Sequence, residues 1–420
     1  MSTGTNNARK VTIGHRKLTL KDHEYQRKDG LFCYWYYDDR HRRKVITAST
    51  LDSLREKESK LEEDLQSGII LDKRMITLDD VYKEWIKTKG KIRETTLSNY
   101  ISLYNMGLKD EFGNMPIREI EKADVRNFMQ RLLDDEEYSF GTVKKIKQIL
   151  GYLYTFAAKA KYTTENPTLD VLSELRVKDS DAPKEDNIAA LTKKEQERFL
   201  SFLEESKKFR HYFPILAFQL GTGLRVSEIA GLQWGDITPT DGDGYTVHIR
   251  HNLVRFYDNE SKSMKRKMHK PKTASGDRAF PLSSLAVKAI RIQEEYRKKP
   301  SSEIAGYDNY VFINKEGGTY SQQTINNAIS RIVNAANLDA LKKNREAGNE
   351  NIPYIHDITS HVLRKTFVTR CAEAGVDIKV VSRIVGHQDI KVTYEIYTAV
   401  QQDWAAEEMK SLDAYLAGNE

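Results

Sequence analysis

Hydrophobic positions along this chain repeat with a strand period near its start and with a helix period through most of the rest. Leu78, Val81, Tyr82, Trp85 and Ile86 fall at i, i+3, i+4, i+7 and i+8, which is one face of a helix. Thr77, with Asp80 three residues on, supplies a capping pattern at its start. Val125, Phe128, Met129, Leu132 and Leu133 repeat the spacing, and a third helix is predicted from about Gly141 to Ala160 with Val143, Ile146, Leu150 and Leu153 inward. Residues 75–175 therefore read as all-helical. Ahead of them, Arg9–Ile13, the aromatic run Leu31–Tyr37 and Lys44–Ala48 read as three strands, with a turn signal at Lys28–Gly30, and Leu51–Leu65 reads as a helix. Residues 1–70 are thus expected to form a small three-stranded sheet backed by one helix.

Residues 176–190 are polar, contain Pro183 and read as a linker. From Leu191 the pattern becomes mixed. Thr192 and Glu195 form a capping box, an apolar helix Tyr212–Leu220 ends at Gly221, and Tyr245–Arg250 and Arg278–Leu282 alternate like strands. The remainder is mainly helical. The expected fold is α+β and multidomain: residues 1–70, 75–175, a linker at 176–190, and a larger unit at 191–420.

Composition narrows the function classes. No run of 18 or more apolar residues exists and the polar N-terminus lacks the apolar stretch of a signal peptide, so neither a membrane span nor secretion is expected. Two cysteines, Cys33 and Cys371, fall in different predicted units, which fits a reducing cytoplasm better than a disulfide framework. The net charge of +6 is small for 420 residues, but residues 1–50 alone carry 11 Lys and Arg against 5 Asp and Glu. Such a block is either a solvated basic tail or the footprint of a phosphate-binding module. The exposed face of a small sheet can lie in a DNA major groove. The aromatics Phe32, Tyr34, Trp35, Tyr36 and Tyr37 read first as core and sheet surface. Lys144, Lys145 and Lys147, on the outer face of the third helix, are solvated charges or grips for phosphates.

Four segments of the last unit carry candidate chemistry. Gly221–Trp234 (GTGLRVSEIAGLQW) places Arg225 just after a glycine-rich break at a helix start, where anions are favoured. Pro271–Leu282 (PKTASGDRAFPL) places Lys272 on a predicted β-hairpin with Ser275 and Gly276 at its turn. His361 and Arg364 stand at helical i, i+3 spacing and share a face. Gly386 and His387 are followed ten residues later by Tyr397.

This set, Arg225, Lys272, His361 with Arg364, His387 and Tyr397, resembles the active site of the tyrosine recombinases. That family includes phage-type integrases, Xer recombinases and the integrases of conjugative transposons, and the last are the most similar in layout. The resemblance is specific over roughly residues 190–400. It implies a site-specific integrase that cuts and rejoins duplex DNA through a 3′-phosphotyrosine on Tyr397, with no metal or nucleotide cofactor. It implies that His361 is the base, that Arg225, Arg364 and His387 hold the phosphate, that Lys272 protonates the leaving 5′-oxygen and that Glu228 supports a cationic neighbour. It further implies an arm-DNA-binding module at 1–70, a core-DNA-binding domain at 75–175, and a tetramer on DNA. A directionality factor and a DNA-bending protein are implied as accessory partners.

These residue types suit the chemistry. A tyrosine hydroxyl, with an ordinary pKa of about 10, needs help to lose its proton. Guanidinium forks bind two phosphate oxygens each, and a preorganised donor of this kind is worth roughly 3–4 kcal/mol in a transition state. A metal site built from His356, His361 and His387 is disfavoured by the Arg and Lys around them. Tyr394 competes with Tyr397 as nucleophile, being three residues away on the same helical stretch. Tyr397 is preferred for its spacing from His387 and for the Thr398 that follows it. Gln388 and the polar segment Leu338–Asn351 depart from the family pattern without touching the core set. Residues 401–417, with Trp404, Met409, Leu412 and Leu416, read as an amphipathic helix. By resemblance it packs on a neighbouring subunit; otherwise it packs on its own domain.

Overall fold

The computed structural model describes residues 10–13, 16–37, 42–66, 75–135, 138–177, 189–271, 276–295, 303–348, 351–387, 389–391 and 393–398. The chain is α+β and divides into two compact units, Met1–Lys184 and Glu185–Glu420.

The first unit opens with a hairpin of β1 (Lys10–Ile13) and β2 (Arg16–Thr19). A three-stranded antiparallel sheet follows, β3 (Glu24–Gln26), β4 (Phe32–Tyr37) and β5 (Arg43–Ala48), in that spatial order. The sheet is as expected in size, but its first strand is not Arg9–Ile13. That β-branched run pairs with β2, and the sheet is completed by Glu24–Gln26, which pairs Glu24 with Tyr34. Helix α1 (Leu51–Gln66) packs Leu51 and Leu54 against Leu20, Phe32 and Ala48. On the sheet, the Trp35 and His23 rings pack at a tilt of 35° with centroids 3.9 Å apart, and the Arg43 guanidinium lies 4.7 Å from the Trp35 centroid.

A second core lies among α2 (Leu78–Lys87), α3 (Glu94–Leu103), α4 (Lys109–Phe112), α5 (Lys122–Asp134) and α6 (Phe140–Lys159). The Thr77–Asp80 capping box forms, and Leu78, Val81 and Trp85 are buried on the face the periodicity indicates. Helix α3 has no fully buried residue, which is why no apolar stripe announces it.

The second unit is built around α8 (Phe213–Thr222), whose ten residues are all buried. Burial of side chains such as Leu216 and Phe218 stabilises by roughly 1.5–3 kcal/mol each. Against α8 pack α7 (Lys193–Glu205), α9 (Val226–Ala230), α10 (Ser284–Glu295) and α12 (Ser360–Glu373); α11 (Gln322–Ala347) packs on α7, α9 and α12, and α13 (Ile378–Val385) on α12. A sheet of β6 (Ile237–Pro239), β7 (Tyr245–Ile249) and β10 (Arg278–Pro281) has β7 at its centre. Strands β8 (Asn252–Asp258) and β9 (Ser263–His269) form a separate two-stranded ribbon. This corrects the hairpin expected about Ser275 and Gly276. Strand β9 pairs with β8 and β10 with β7, so the described strands on either side of Ser275 and Gly276 do not pair with each other.

Lys272, the interior of the polar linker (residues 178–188) and the tail 401–417 lie outside the described residues. Among the described residues no helix is long and apolar enough to cross a membrane, and Cys33 and Cys371 are free thiols.

Candidate active site

The end of α8 and the start of α9 set the first cationic group. Helix α8 stops at Gly223, whose φ of 64° lies in the left-handed region. A side chain there would also run into the Phe367 ring of α12. The Gly223 carbonyl accepts a 2.8 Å hydrogen bond from Arg364 Nη1, so the glycine box and the His-x-x-Arg box are joined at this point. Buried Gln219 adds a second tie, donating to the carbonyls of Leu224 (3.2 Å) and Ser360 (3.1 Å). Its position inside an apolar helix gave no signal of that role.

Arg225 follows at the N-cap of α9, with its side chain 43% exposed. Glu228, one turn later, accepts from the Arg225 backbone N–H at 2.9 Å and lies 3.5 Å from its Nη1. The main cationic partner of Glu228 is Arg278 of β10, held through two 3.1 Å bonds. Sequence reading found Glu228 and missed Arg278, because a lone Arg in a strand carries no local signal. Arg278 holds the buried Glu228 carboxyl below the usual range, the largest effect opposing the rise that burial would cause.

Arg364 is 6% exposed, and its Nη2 has no hydrogen-bond partner among the described residues. Burial, and then Arg225, pull its pKa down to about 9. It remains a cation at neutral pH, desolvated and short of an anion. His361 lies beside it. Gln322, at the first turn of α11, donates to His361 Nε2 at 3.1 Å. Burial lowers the His361 pKa, and Arg364 and Arg225 add to that. The imidazole is therefore neutral, with its lone pair on the nitrogen that Gln322 meets. Gln219, Arg225, Ser227, Gln322, Ser360, His361 and Arg364 line a cleft of about 60 Å³.

His387 follows Gly386, and its Nδ1 lies 2.7 Å from Thr393 Oγ1. Burial first, then Arg364, Arg225 and Arg278, push its pKa down to about 4. His387 thus shares the field of the same three guanidiniums. His356 is elsewhere, bonded at 2.7 Å to Glu195, and among the described residues no cluster of His, Cys, Asp or Glu is suited to a metal ion.

Tyr397 does not line the cleft. It belongs to a side cluster with Val368, Ala372, Val381 and Val385, and its hydroxyl donates a 2.7 Å hydrogen bond to the Val376 carbonyl. Burial pushes its pKa up to about 12. Tyr394 is 61% exposed. The structure therefore brings together Arg225, Glu228, His361, Arg364 and His387, and sets Tyr397 apart from them.

Residues 189–403 match the phage integrase family, and residues 77–133 match the phage integrase N-terminal SAM-like domain. The chain belongs to the phage integrase family. It is a tyrosine-type site-specific recombinase. The transposase from transposon Tn916 of Enterococcus faecalis is 28% identical over 413 residues, covering 95% of this chain and 96% of that one. A tyrosine recombinase XerC-like protein of Caldanaerobacter subterraneus is 24% identical, covering 82% and 86%. Among solved structures, the Tn1549 transposon integrase in complex with transposon right end DNA superposes with a TM-score of 0.63 at 27% identity, covering 81% of this chain and all of that one.

Within the recombinase's site, the depressed imidazole of His387 sets a pH dependence. In the unfolded chain a histidine titrates near 6.5; folded, His387 titrates near 4. Between these values the unfolded state binds more protons, so stability rises with pH across the window and is lost as pH falls from about 6.5 towards 4. Thermal melting of the DNA-free recombinase from pH 7 to 4.5 should show this decline, and His387→Gln should flatten it. An equal slope in the variant would remove His387 as a cause.

Proposed function

We propose that the recombinase integrates and excises a mobile element, with Tyr397 as nucleophile and with Arg225, Arg364, His361 and His387 around the scissile phosphate. The observation that carries this reading is the buried Arg364 guanidinium, whose Nη2 has no hydrogen-bond partner among the described residues and which lines one small cleft with Arg225. Desolvated cations with fork geometry are what a phosphodiester gaining charge in its transition state requires. The Tyr397 oxygen attacks phosphorus, forms the 3′-phosphotyrosine and breaks the bond to the 5′-oxygen. Its proton passes to neutral His361, whose lone pair Gln322 now holds, and Lys272 protonates the leaving oxygen. A 5′-hydroxyl of the partner strand then attacks the phosphotyrosine and restores the tyrosine. Glu228 keeps Arg225 in place.

For the domains, residues 1–70 are proposed to bind arm DNA and 75–175 core DNA, with 176–190 a linker and 191–420 catalytic. The aromatic and basic surface formed by half-buried Trp35 with exposed Tyr37 and Arg43 supports the first assignment. The neighbour solved on transposon end DNA supports the DNA class. Exchange of two duplexes requires four strand cleavages, hence four nucleophiles, which supports a tetramer. Bringing arm and core sites to one subunit requires bent DNA, which supports a DNA-bending protein; a directionality factor would then bias integration against excision.

Two linear duplexes carrying the element's ends should yield joint molecules with this protein. Relaxed plasmid without joint molecules would indicate a topoisomerase-like activity instead. Deleting residues 1–70 should weaken arm-site binding and spare core-site cleavage, read by gel shift and by adduct yield. Equal loss of both would reject the separate roles.

A further inference from the structure

We propose that Arg278 is a positioning residue for strand cleavage, fixing the spacing between Arg225 and His387. This rests on the reading of those two groups as phosphate ligands. A guanidinium has five N–H donors, and Arg278 uses all five. Nε donates to the Ile384 carbonyl at 2.6 Å, and Nη2 to the Val385 carbonyl at 3.2 Å. Nη1 donates to the Gly276 carbonyl at 3.1 Å. Nη1 and Nη2 each donate to one oxygen of Glu228 at 3.1 Å.

The acceptors belong to the segments that carry the site. Glu228 caps Arg225 through its backbone N–H. Ile384 and Val385 end α13, immediately before Gly386 and His387. The turn at Gly386 lies flat on the guanidinium: its φ is +70°, and a Cβ there would sit 2.8 Å from Arg278 Cζ and Nη1. Arg225 Nη1 in turn approaches the Gly386 carbonyl at 3.4 Å, closing a ring from Arg225 through Glu228, Arg278 and Gly386. Arg278 is 4% exposed, so it is not a surface contact for DNA. A buried ion pair contributes little net stability compared with a well-packed apolar pair. What this pair contributes is a rigid distance between two groups that must meet one phosphate.

The test compares single-turnover cleavage by the full-length protein on two nicked duplexes. One has a normal scissile phosphodiester; the other has a methylphosphonate there, which is neutral and needs less cationic stabilisation. Arg278→Lys keeps the charge and loses the fork. It should bind core DNA as the parent does and cleave the phosphodiester on the order of 100-fold more slowly, the cost of a misplaced group. Its methylphosphonate rate should fall much less. Equal loss on both substrates, or no loss on either, would overturn the proposal. Arg225→Ala serves as the control: if it too loses both rates equally, the reading of Arg225 as a phosphate ligand fails instead. Should Arg278→Lys not fold, Gly386→Ala, which drives a methyl group into the guanidinium, should give the same selective loss, and a uniform loss there would count against Arg278.

Discussion

Tyr397→Phe is expected to abolish the covalent protein–DNA adduct on a nicked suicide duplex, and Tyr394→Phe to leave it. Loss of a nucleophilic oxygen removes the covalent route altogether, an effect of roughly 10⁴-fold or more. The structure makes this a sharp test because accessibility alone favours the other residue: Tyr394 is exposed, and Tyr397 is packed among Val368, Ala372, Val381 and Val385. The Phe variant keeps the ring in that cluster and gives up only the hydrogen bond to Val376, about 1 kcal/mol. A folded, DNA-binding protein without adduct is therefore the expected state. Adduct from both single variants would reject the assignment, and adduct lost only in Tyr394→Phe would transfer the role to Tyr394.

Arg364→Met should cut adduct formation by roughly 10²–10³-fold, as loss of one preorganised donor does, without lowering the melting temperature of the DNA-free protein. Among the described residues, buried Arg364 has one hydrogen bond, to Gly223, and an unsatisfied Nη2. Arg225 and Arg278 oppose its charge, and the carboxylate that offsets it among the described residues, Glu228, is already held by Arg278. Replacing a poorly compensated buried charge by an apolar side chain of similar length is commonly neutral or stabilising. The Gly223 carbonyl loses a partner at about 1 kcal/mol, and relief of desolvation offsets it. Differential scanning calorimetry beside the adduct assay checks both halves. A marked fall in melting temperature would mean that Arg364 is held for the fold and not for an anion.

The helices were legible wherever one apolar face is buried, as in α2, α5 and α6. Helix α3 was not, because its residues are only partly buried. The N-terminal sheet was legible in size and in its aromatic central strand. Its edge strand was misread because the β-branched run Arg9–Ile13 has a clearer strand pattern than the short, charged Glu24–Gln26, and pairing partners are a tertiary choice. In the site, Arg225, His361, Arg364 and His387 announce themselves through short local patterns. Gln219, Arg278, Gln322 and Thr393 do not, since each acts across more than local chain distance or through an ordinary polar side chain. The seat of Tyr397 was equally invisible: spacing from His387 indicates which tyrosine is in register, not where its hydroxyl rests.

That seat has a kinetic meaning. If Tyr397 is the nucleophile, its hydroxyl must give up the Val376 carbonyl before it can reach a phosphate in the cleft. The observed cleavage constant is then a product of two factors, the fraction of molecules with the tyrosine unseated and the rate of attack from that fraction. Every ~1.4 kcal/mol by which the seat is preferred divides the observed rate by about ten while leaving the chemistry untouched. Substitutions at Val368, Ala372, Val381 or Val385 that loosen the seat would therefore raise the rate of cleavage, although these side chains are buried and neither charged nor titratable.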